Sequence, residues 1–372
     1  MKFNRYALSD LATIKYGKNQ KKVLSESGNI PIYCTGGLMG YATTALYDKP
    51  SVLIGRKGTI GKVKYVEHPF WTIDTLFYTI VNTDIVLPKY LYYVMSLVDL
   101  NNYNEGTTIP SLRTETLNRL EFDIPSLVEQ ETILSCLNPI DEKIALNNAI
   151  NNNLEQQAEA IFQSILSKAI TTVNLGEIAD VKGGKRLPKG VNLTDIPNAH
   201  PYIRVRDLNN VLFASLTPNY AYVDKETQKS ISRYIVSTGD VLISIVGTIG
   251  LTAIVDSTLD KANLTENCVK VTNLKHITPE YLLLYLRSQL GREAIAKGTV
   301  GAVQQKLPIK NIQAIPIPLL SVKDKNALFC TLDSIFAGIS NNVIQSAKLA
   351  SLRDTLLPRL MSSELDVSDI DL

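Results

Sequence analysis

Histidine is almost absent: His68, His200 and His276 are the three in 372 residues, and none stands at a ligand-like spacing from a carboxylate or a cysteine. No histidine-built metal centre is visible. The four cysteines (Cys34, Cys136, Cys268, Cys330) are scattered without a Cys-x-x-Cys pair, which points to reduced, partly buried thiols rather than a disulfide framework or a zinc site. No Gly-x-x-x-x-Gly-Lys-Ser/Thr loop occurs, so nucleotide phosphates find no P-loop here. The Asn/Asp-Pro-Pro-Tyr/Phe motif of amino-methyltransferases is missing too, and its nearest approach, Asn138-Pro139-Ile140, reads better as a helix cap. Asp141-Glu142-Lys143 resembles the tail of a nuclease carboxylate motif but has no upstream Pro-Asp, and reads as a solvated helix face. Long apolar runs are also lacking: Met1-Lys2-Phe3-Asn4-Arg5 leads into polar sequence, and the aliphatic stretches fall short of a membrane span. The expectation is a soluble, cytoplasmic protein that carries no catalytic constellation, metal or membrane anchor of its own.

What is present is written nearly twice, at an offset that grows from 167 to 195 residues. Leu8, Ala12, Ile14, Lys15, Gly17 and Lys18 recur as Leu175, Ala179, Val181, Lys182, Gly184 and Lys185. Val52-Leu53-Ile54 with Gly58-Thr59-Ile60-Gly61 recurs as Val241-Leu242-Ile243 with Gly247-Thr248-Ile249-Gly250, and Pro88-Lys89-Tyr90-Leu91 as Pro279-Glu280-Tyr281-Leu282. Solenoids and propellers repeat every roughly 20–50 residues, so the unit duplicated here is a whole domain plus a helix. Two like units in one chain are expected to pack about a pseudo-twofold axis.

The net charge is only +2, but its distribution is uneven: residues 1–125 carry +3 and 171–318 carry +5, whereas 126–170 carry −4 and 319–372 carry −2. Basic globular parts alternating with acidic helices suit a chain whose domains meet phosphate and whose helices meet protein.

The first globular part opens with a helical turn around Leu8, Leu11 and Ile14, then shows strand-like runs at 30–33, 52–54, 63–66 and 76–81 and a helix from Pro88 to Val98. The second repeats the plan at 202–205, 241–246, 252–255 and 269–271, with a helix from Pro279 to Leu290. After each, apolar residues fall at three- and four-residue spacings, over 127–167 and again over 328–356. Pro139 is expected to separate a short helix from a main one over 139–168. The predicted seam of the helix pair is Ile140, Ile144, Asn147, Leu154 and Ile161 against Ile335, Ile339, Asn342, Leu349 and Leu356. Asn147 and Asn342 hold the same place, three residues after Ile144 and Ile339; they either set register in a buried seam or mark where it opens to solvent. The predicted class is α+β: two similar mixed domains joined by two long helices in an antiparallel coiled coil.

Candidate DNA contacts recur at matching places. Basic loops (Lys18, Lys21, Lys22; Lys185, Arg186, Lys189) come first, and Arg56, Lys57, Thr59 and Lys62 lie around the first repeated turn, with Thr248 in the second turn and Arg204 and Arg206 upstream of it. Thr107, Thr108, Ser111 and Arg113 cluster late in one repeat, as Gln304, Gln305 and Lys306 do in the other. Lysines on loops neutralise phosphates, whereas Arg, Gln, Ser and Thr can read base edges. The Gly-Thr-Ile-Gly turns are compatible with a phosphate cradle, with the Gly-x-x-Gly loop of an RNA-binding module, or with plain tight turns between paired strands.

These features resemble the specificity subunit of a type I restriction-modification enzyme, and the resemblance spans essentially the whole chain. Its marks are the doubled plan, Leu8-Ser9-Asp10-Leu11-Ala12 with Leu175-Gly176-Glu177-Ile178-Ala179, Gly106-Thr107-Thr108-Ile109-Pro110-Ser111-Leu112 ahead of Phe122-Asp123-Ile124-Pro125, and the ending Leu352-Arg353-Asp354-Thr355-Leu356-Leu357-Pro358-Arg359-Leu360-Met361-Ser362. Glu129-Gln130 opens the first helix, where the second half has Lys323-Asp324. The resemblance implies target-recognition domains over 1–125 and 171–318, helical spacers over 126–170 and 319–365, and an acidic tail over 366–372. It further implies double-stranded DNA as ligand, two methyltransferase subunits and motor-nuclease (restriction) subunits as partners, and S-adenosylmethionine, ATP and Mg held by those partners. A stand-alone nuclease or methyltransferase, or a two-lobed protein scaffold, are the readings it competes with.

Overall fold

The computed structural model describes residues 2–217, 220–302, 304–362 and 364–365; Val303 and the acidic tail over 366–372 lie outside them. The chain divides into two compact units, one holding the residues up to Leu146 and those from Gln345 onward, the other Asn147–Ile344.

The first unit contains β1 (Asn4–Ala7), α1 (Leu8–Leu11), β2 (Ala12–Tyr16), β3 (Ile30–Cys34), β4 (Gly37–Ala42), β5 (Ser51–Gly55), β6 (Val63–Val66), β7 (Trp71–Thr72), β8 (Leu76–Val81), α2 (Pro88–Ser96), α3 (Thr114–Asn118), β9 (Glu121–Ile124) and the start of α4 (Leu127–Leu166). Its sheets run β2-β8-β5-β6 and β4-β3-β7, and a separate ribbon pairs β1 with β9. Strand β5 is buried along its whole length, so it reads as a continuous apolar run rather than an alternating one.

The second unit contains β10 (Thr171–Asn174), α5 (Leu175–Ile178), β11 (Asp180–Gly183), β12 (Pro201–Ile203), β13 (Phe213–Ala214), β14 (Ala221–Tyr222), α6 (Lys225–Ile231), β15 (Val241–Ser244), β16 (Thr252–Val255), β17 (Asn263–Leu264), β18 (Cys268–Thr272), α7 (Pro279–Arg287), α8 (Gln289–Gly298), α9 (Ile309–Gln313), β19 (Pro316–Leu319) and most of α10 (Val322–Met361). Its sheets are β11-β18-β15-β16-β13 and β14-β12-β17, with a ribbon of β10 and β19. Apart from the added edge strand β13, this is the plan of the first unit, down to the parallel pairs β3·β7 and β12·β17. Most of the growth in offset falls between β12 and β15, where the second repeat carries β13 and α6.

The expected helix from Pro279 to Leu290 is two helices. Ser288 ends α7 and its Oγ accepts from the Gly291 amide (3.2 Å), capping α8. Gly291 is required there, because a Cβ would sit 2.0 Å from the Tyr285 carbonyl oxygen.

Helix α4 corrects the expected interruption at Pro139: it runs unbroken from Leu127 to Leu166. Pro139 lies on the exposed face, where the carbonyl it leaves unbonded can meet water, while Leu134 and Leu137 hold the opposite face in the core. Asn138 is accordingly mid-helix and not a cap. Asp141 is likewise no solvated carboxylate: it accepts from the Tyr93 hydroxyl and from Arg353 Nη1 (2.9 Å), with Lys89 Nζ at 3.9 Å. Helix entrances match between the repeats. Ser126 and Glu129 form a reciprocal cap, Glu129 accepting from the Ser126 amide (2.9 Å) and Ser126 Oγ from the Glu129 amide (3.3 Å), and at the second entrance Ser321 Oγ accepts from the Asp324 amide (3.2 Å) and donates its hydroxyl to the Asp324 carboxylate (2.7 Å).

In each unit the two long helices pair antiparallel. In the second, Asn147 donates to the Asn342 carbonyl (3.5 Å), Asn342 donates to Asn151 Oδ1 (2.8 Å), and Leu154 lies 3.6 Å from where a Cβ on Gly338 would be. Asn147 is fully buried, which decides for a closed seam at that level. Ile161, Ile335 and Ile339 pack in the same core, while in the first unit Leu356 packs beside buried Leu357 and Leu360, and Ile140, Ile144 and Leu349 are half-buried. Helix α10 is long and apolar enough to cross a membrane by length and composition, with a window of mean hydropathy 1.3, against the short apolar runs expected. Its apolar residues form a stripe, of which Leu328, Leu332, Phe336 and Ile339 are buried against protein.

Arg287 fastens the sheet of the second unit to its helices. It donates to Glu155 (3.2 Å), to Thr252 Oγ1 (3.2 Å), to the Thr252 carbonyl (2.7 Å) and to the Val211 carbonyl. Burial lowers its pKa and the charge of Glu155 opposes that shift. Arg287→Met should destabilise the second unit by about 2 kcal/mol, the buried-pair penalty discounted for partial exposure, with Arg287→Lys recovering part of it. Denaturant unfolding checks this, and a change under about 0.5 kcal/mol, the scatter of ordinary surface substitutions, would show the latch to be idle.

Candidate nucleic-acid interface

The basic loops start where the chain leaves β2 and β11. Gly17 and Gly184 cross another strand so closely that a Cβ would meet the Ile73 or the Thr265 carbonyl oxygen at 2.0 Å. Lys18 N then donates to the Thr72 carbonyl (2.8 Å) and Lys185 N to the Leu264 carbonyl (2.9 Å). An aromatic donor locks each lysine carbonyl: Trp71 Nε1 on Lys18 (2.8 Å) and the Tyr202 hydroxyl on Lys185 (3.0 Å). The backbones are fixed, and the side chains of Lys18, Lys21, Lys22, Lys185, Arg186 and Lys189 are exposed.

The turns and the late clusters, far apart in sequence, meet. Gly58–Gly61 joins the antiparallel strands β5 and β6, and Gly247–Gly250 joins β15 and β16. Lys57 bridges to Ser111, the Gly58 amide donates to the Pro110 carbonyl (2.9 Å), and Leu112 N donates to the Arg56 carbonyl (2.9 Å). The second unit repeats this with Val246 bridging to Lys306 and Leu307 N donating to the Ile245 carbonyl (3.0 Å). Asn104, which sequence reasoning missed, pins the loop by accepting from the Gly106 and Ser111 amides (2.9 Å each). Thr107, Thr108 and Ile109 thereby stand exposed at one tip, and Ala302, Gln304, Gln305 and Lys306 at the other.

The candidate cations divide by partner. Arg56 donates to the Asp74 carbonyl (2.8 Å) with its guanidinium 4.9 Å from the centre of the Tyr16 ring. Arg113 pairs with Glu105 (3.1 Å), Arg186 with Glu266 (2.8 Å) and Arg204 with Asp207 (3.1 Å). Glu266 in turn has its pKa lowered: burial works to raise it, but the bond from Arg186 and further hydrogen bonds outweigh that. Arg204 is mostly buried and forks onto Asp207 with two nitrogens, which makes it a frame residue. Arg206 reaches the same carboxylate at 3.8 Å while staying largely exposed. Lys18, Lys21, Lys22, Lys57, Lys62, Lys189 and Lys306 form no ion pair among the described residues. Thr59 and Thr248 are exposed within their turns. Among the described residues no group of three or more His, Cys, Asp or Glu could hold a metal ion.

Comparison with known proteins agrees with this architecture. The family model described as "Type I restriction modification DNA specificity domain" matches residues 2–156 and 168–348. The type I restriction enzyme MjaIX specificity subunit of Methanocaldococcus jannaschii is 24% identical over 361 residues, covering 87% of this chain and 80% of that protein. The HindI specificity subunit of Haemophilus influenzae is 31% identical over 113 residues, 28% of this chain and 25% of that one. Among solved structures, the S subunit of a type I restriction-modification system from M. genitalium superposes with a TM-score of 0.58 at 17% identity, covering 97% and 96% of the two chains.

Unpaired loop lysines and the amide at the second loop tip should differ in binding assays on DNA. Lys21→Ala or Lys189→Ala should weaken binding to every sequence and lower the slope of log affinity against log salt by about one. Gln304→Ala should leave that slope and relax preference at one base pair by about 1–3 kcal/mol. Equal effects of both kinds on specific and random DNA would refute the division.

Proposed function

Because the chain belongs to the type I restriction-modification DNA specificity family, we propose that its repeats are two reading heads, each recognising one half of an asymmetric bipartite site in double-stranded DNA. The chain is a specificity subunit and not an enzyme by itself, and it works within a type I restriction-modification complex. In this reading two methyltransferase subunits and the restriction subunits dock on the helices and bring S-adenosylmethionine, ATP and Mg, and the assembly acts in the cytoplasm.

One observation carries the reading: a single strand plan occurs twice while the loops mounted on it differ. Thr107-Thr108-Ile109-Pro110 tops one frame and Val300-Gly301-Ala302 the other, with φ +105° at Gly301 shaping the second. Equal frames with unequal tips suit one binding geometry and two base sequences. Mapping methylated adenines in cells that express the whole system should return an asymmetric bipartite motif, and a perfect palindrome would overturn the proposal.

Helices α4 and α10 are 40 residues each without a break, which supports a spacer role. Inserting one helical turn after Leu154 and another after Gly338, where the two meet, adds about 6 Å and keeps the seam nearly in phase. The unspecified gap in the target should lengthen by about two base pairs at a rise of ~3.4 Å per pair, both half-sites unchanged. An unaltered gap would leave the helices as docking surfaces only.

A further inference from the structure

The β3–β4 hairpin did not figure among the sequence candidates, yet its tip forms one wall of a cleft of about 340 Å³ in the first unit. Thr35, Gly36 and Gly37 line the cleft together with Thr59, Lys62 and Lys64 from the β5–β6 turn and strand β6. Lys62 and Lys64 share a side because strand residues two apart do. The floor is apolar: Leu53, whose register partner is Lys64, and Leu76 are both buried. No carboxylate lines the cleft.

Each wall is fixed. Gly37 has φ +116°, a left-handed conformation that suits glycine, and a Cβ there would meet nothing within 4 Å. Conformation and not crowding therefore explains that glycine. Lys64 Nζ stands 3.8 Å from the centre of the Tyr33 ring, and desolvation there pushes its ammonium below the usual lysine value. A lysine set over a ring, at an exposed position of its strand and with no ion pair among the described residues, keeps its charge available to an anion that arrives. Thr35 Oγ1 is 4.0 Å from where a Cβ on Gly58 would lie, so the hairpin tip abuts the turn that is itself tied to Pro110 and Ser111.

The two lysines have no counterpart in the second unit. By strand register Leu251 stands where Lys62 does and Ala253 where Lys64 does, as Leu242 pairs with Ala253 the way Leu53 pairs with Lys64.

We propose that this cleft is the seat of a DNA backbone phosphate, held by Lys62 and Lys64 with the hydroxyls of Thr35 and Thr59, a contact that the second reading head does not make with the equivalent residues Leu251 and Ala253. The proposal rests on the DNA-reading role argued above. Two lysines, two hydroxyls and a glycine tip that lets a ligand approach the backbone match the chemistry of a phosphodiester.

The test uses the full chain assembled with its partner subunits, a random-sequence DNA duplex, and Cys34, which also lines the cleft and is half-buried. Lys62→Gln/Lys64→Gln should lower the slope of log affinity against log salt by between one and two. Independently of that variant, the duplex should slow alkylation of Cys34 in the unaltered protein several-fold, with inorganic phosphate at matched ionic strength having little effect. Salt-sensitive binding with an unchanged slope in the variant and no protection of Cys34 would overturn the cleft while leaving the DNA-reading role intact. Equal protection by inorganic phosphate would overturn it in favour of a site for free anions. Absence of any salt-sensitive binding by the unaltered assembly would overturn both.

Discussion

Each repeat is closed on itself by pairing its first strand with its last, and the rest of the architecture hangs on that closure. Asn4 registers with Ile124 and Thr171 with Leu319, so the chain returns to its starting edge just before a long helix begins. Leu8 N donates to the Leu120 carbonyl (2.7 Å) and Leu175 N to the Ile315 carbonyl (2.9 Å), which extends the closure into the fully buried Leu8 and Leu175. Because the next residues are Ser126 and Ser321 with their caps, each helix starts at a point set by the ribbon. Buried Gln130 tightens this in the first unit by accepting from Leu87 N (2.8 Å) and donating to the Ile85 and Pro125 carbonyls (2.9 and 3.0 Å). A helix so anchored starts at a fixed point of its own repeat.

The two units fasten their domain helix (α2 or α7) to the long helices with unlike chemistry. The first uses Tyr93, Asp141 and Arg353, where burial, and after it the hydrogen bond to Asp141, drive the Tyr93 pKa upward and keep that hydroxyl a donor. The second uses Arg287 against Glu155 and two carbonyls. By register, Leu284 stands where Tyr93 does, and Ser96 where Arg287 does. Backbone plan is shared between the repeats and the polar latches are not, as expected when a fold is set by strand pairing and apolar pattern while buried ion pairs add little net stability over alternatives.

The doubled frame was legible in the sequence because it rests on local signals: Gly-Thr-Ile-Gly between two apolar runs, Pro at the first turn of α2 and α7, and the three-and-four spacing of the long helices. What local pattern could not yield was anything closed over distance. The ribbons β1·β9 and β10·β19 pair residues more than 100 positions apart, and β7, β13, β14 and β17 are two residues long, too short to alternate. Pro139 misled for a physical reason, since its effect depends on which helix face it occupies and that is decided by packing. In the candidate interface, Lys62 was visible as a basic residue, but the cleft was not. The signals for it were Thr35-Gly36-Gly37 and the alternation Lys62-x-Lys64, and their meaning depends on a hairpin meeting a turn.

The partition of cations bears on how such a surface would discriminate. Lysines without a carboxylate partner keep their full charge available to phosphate and contribute alike on any sequence. An arginine already seated, as Arg113 is on Glu105 or Arg186 on Glu266, must give up or share that partner when it turns to a base, so its net gain is small even where its geometry is good. Small net gain with strict geometry discriminates: the correct base restores what the carboxylate supplied, and a wrong base leaves both arginine and carboxylate short of a partner. Affinity in the proposed role would then rest on loop lysines and selectivity on paired arginines and on the amides and hydroxyls of the loop tips. The two could be tuned separately on one unchanging frame.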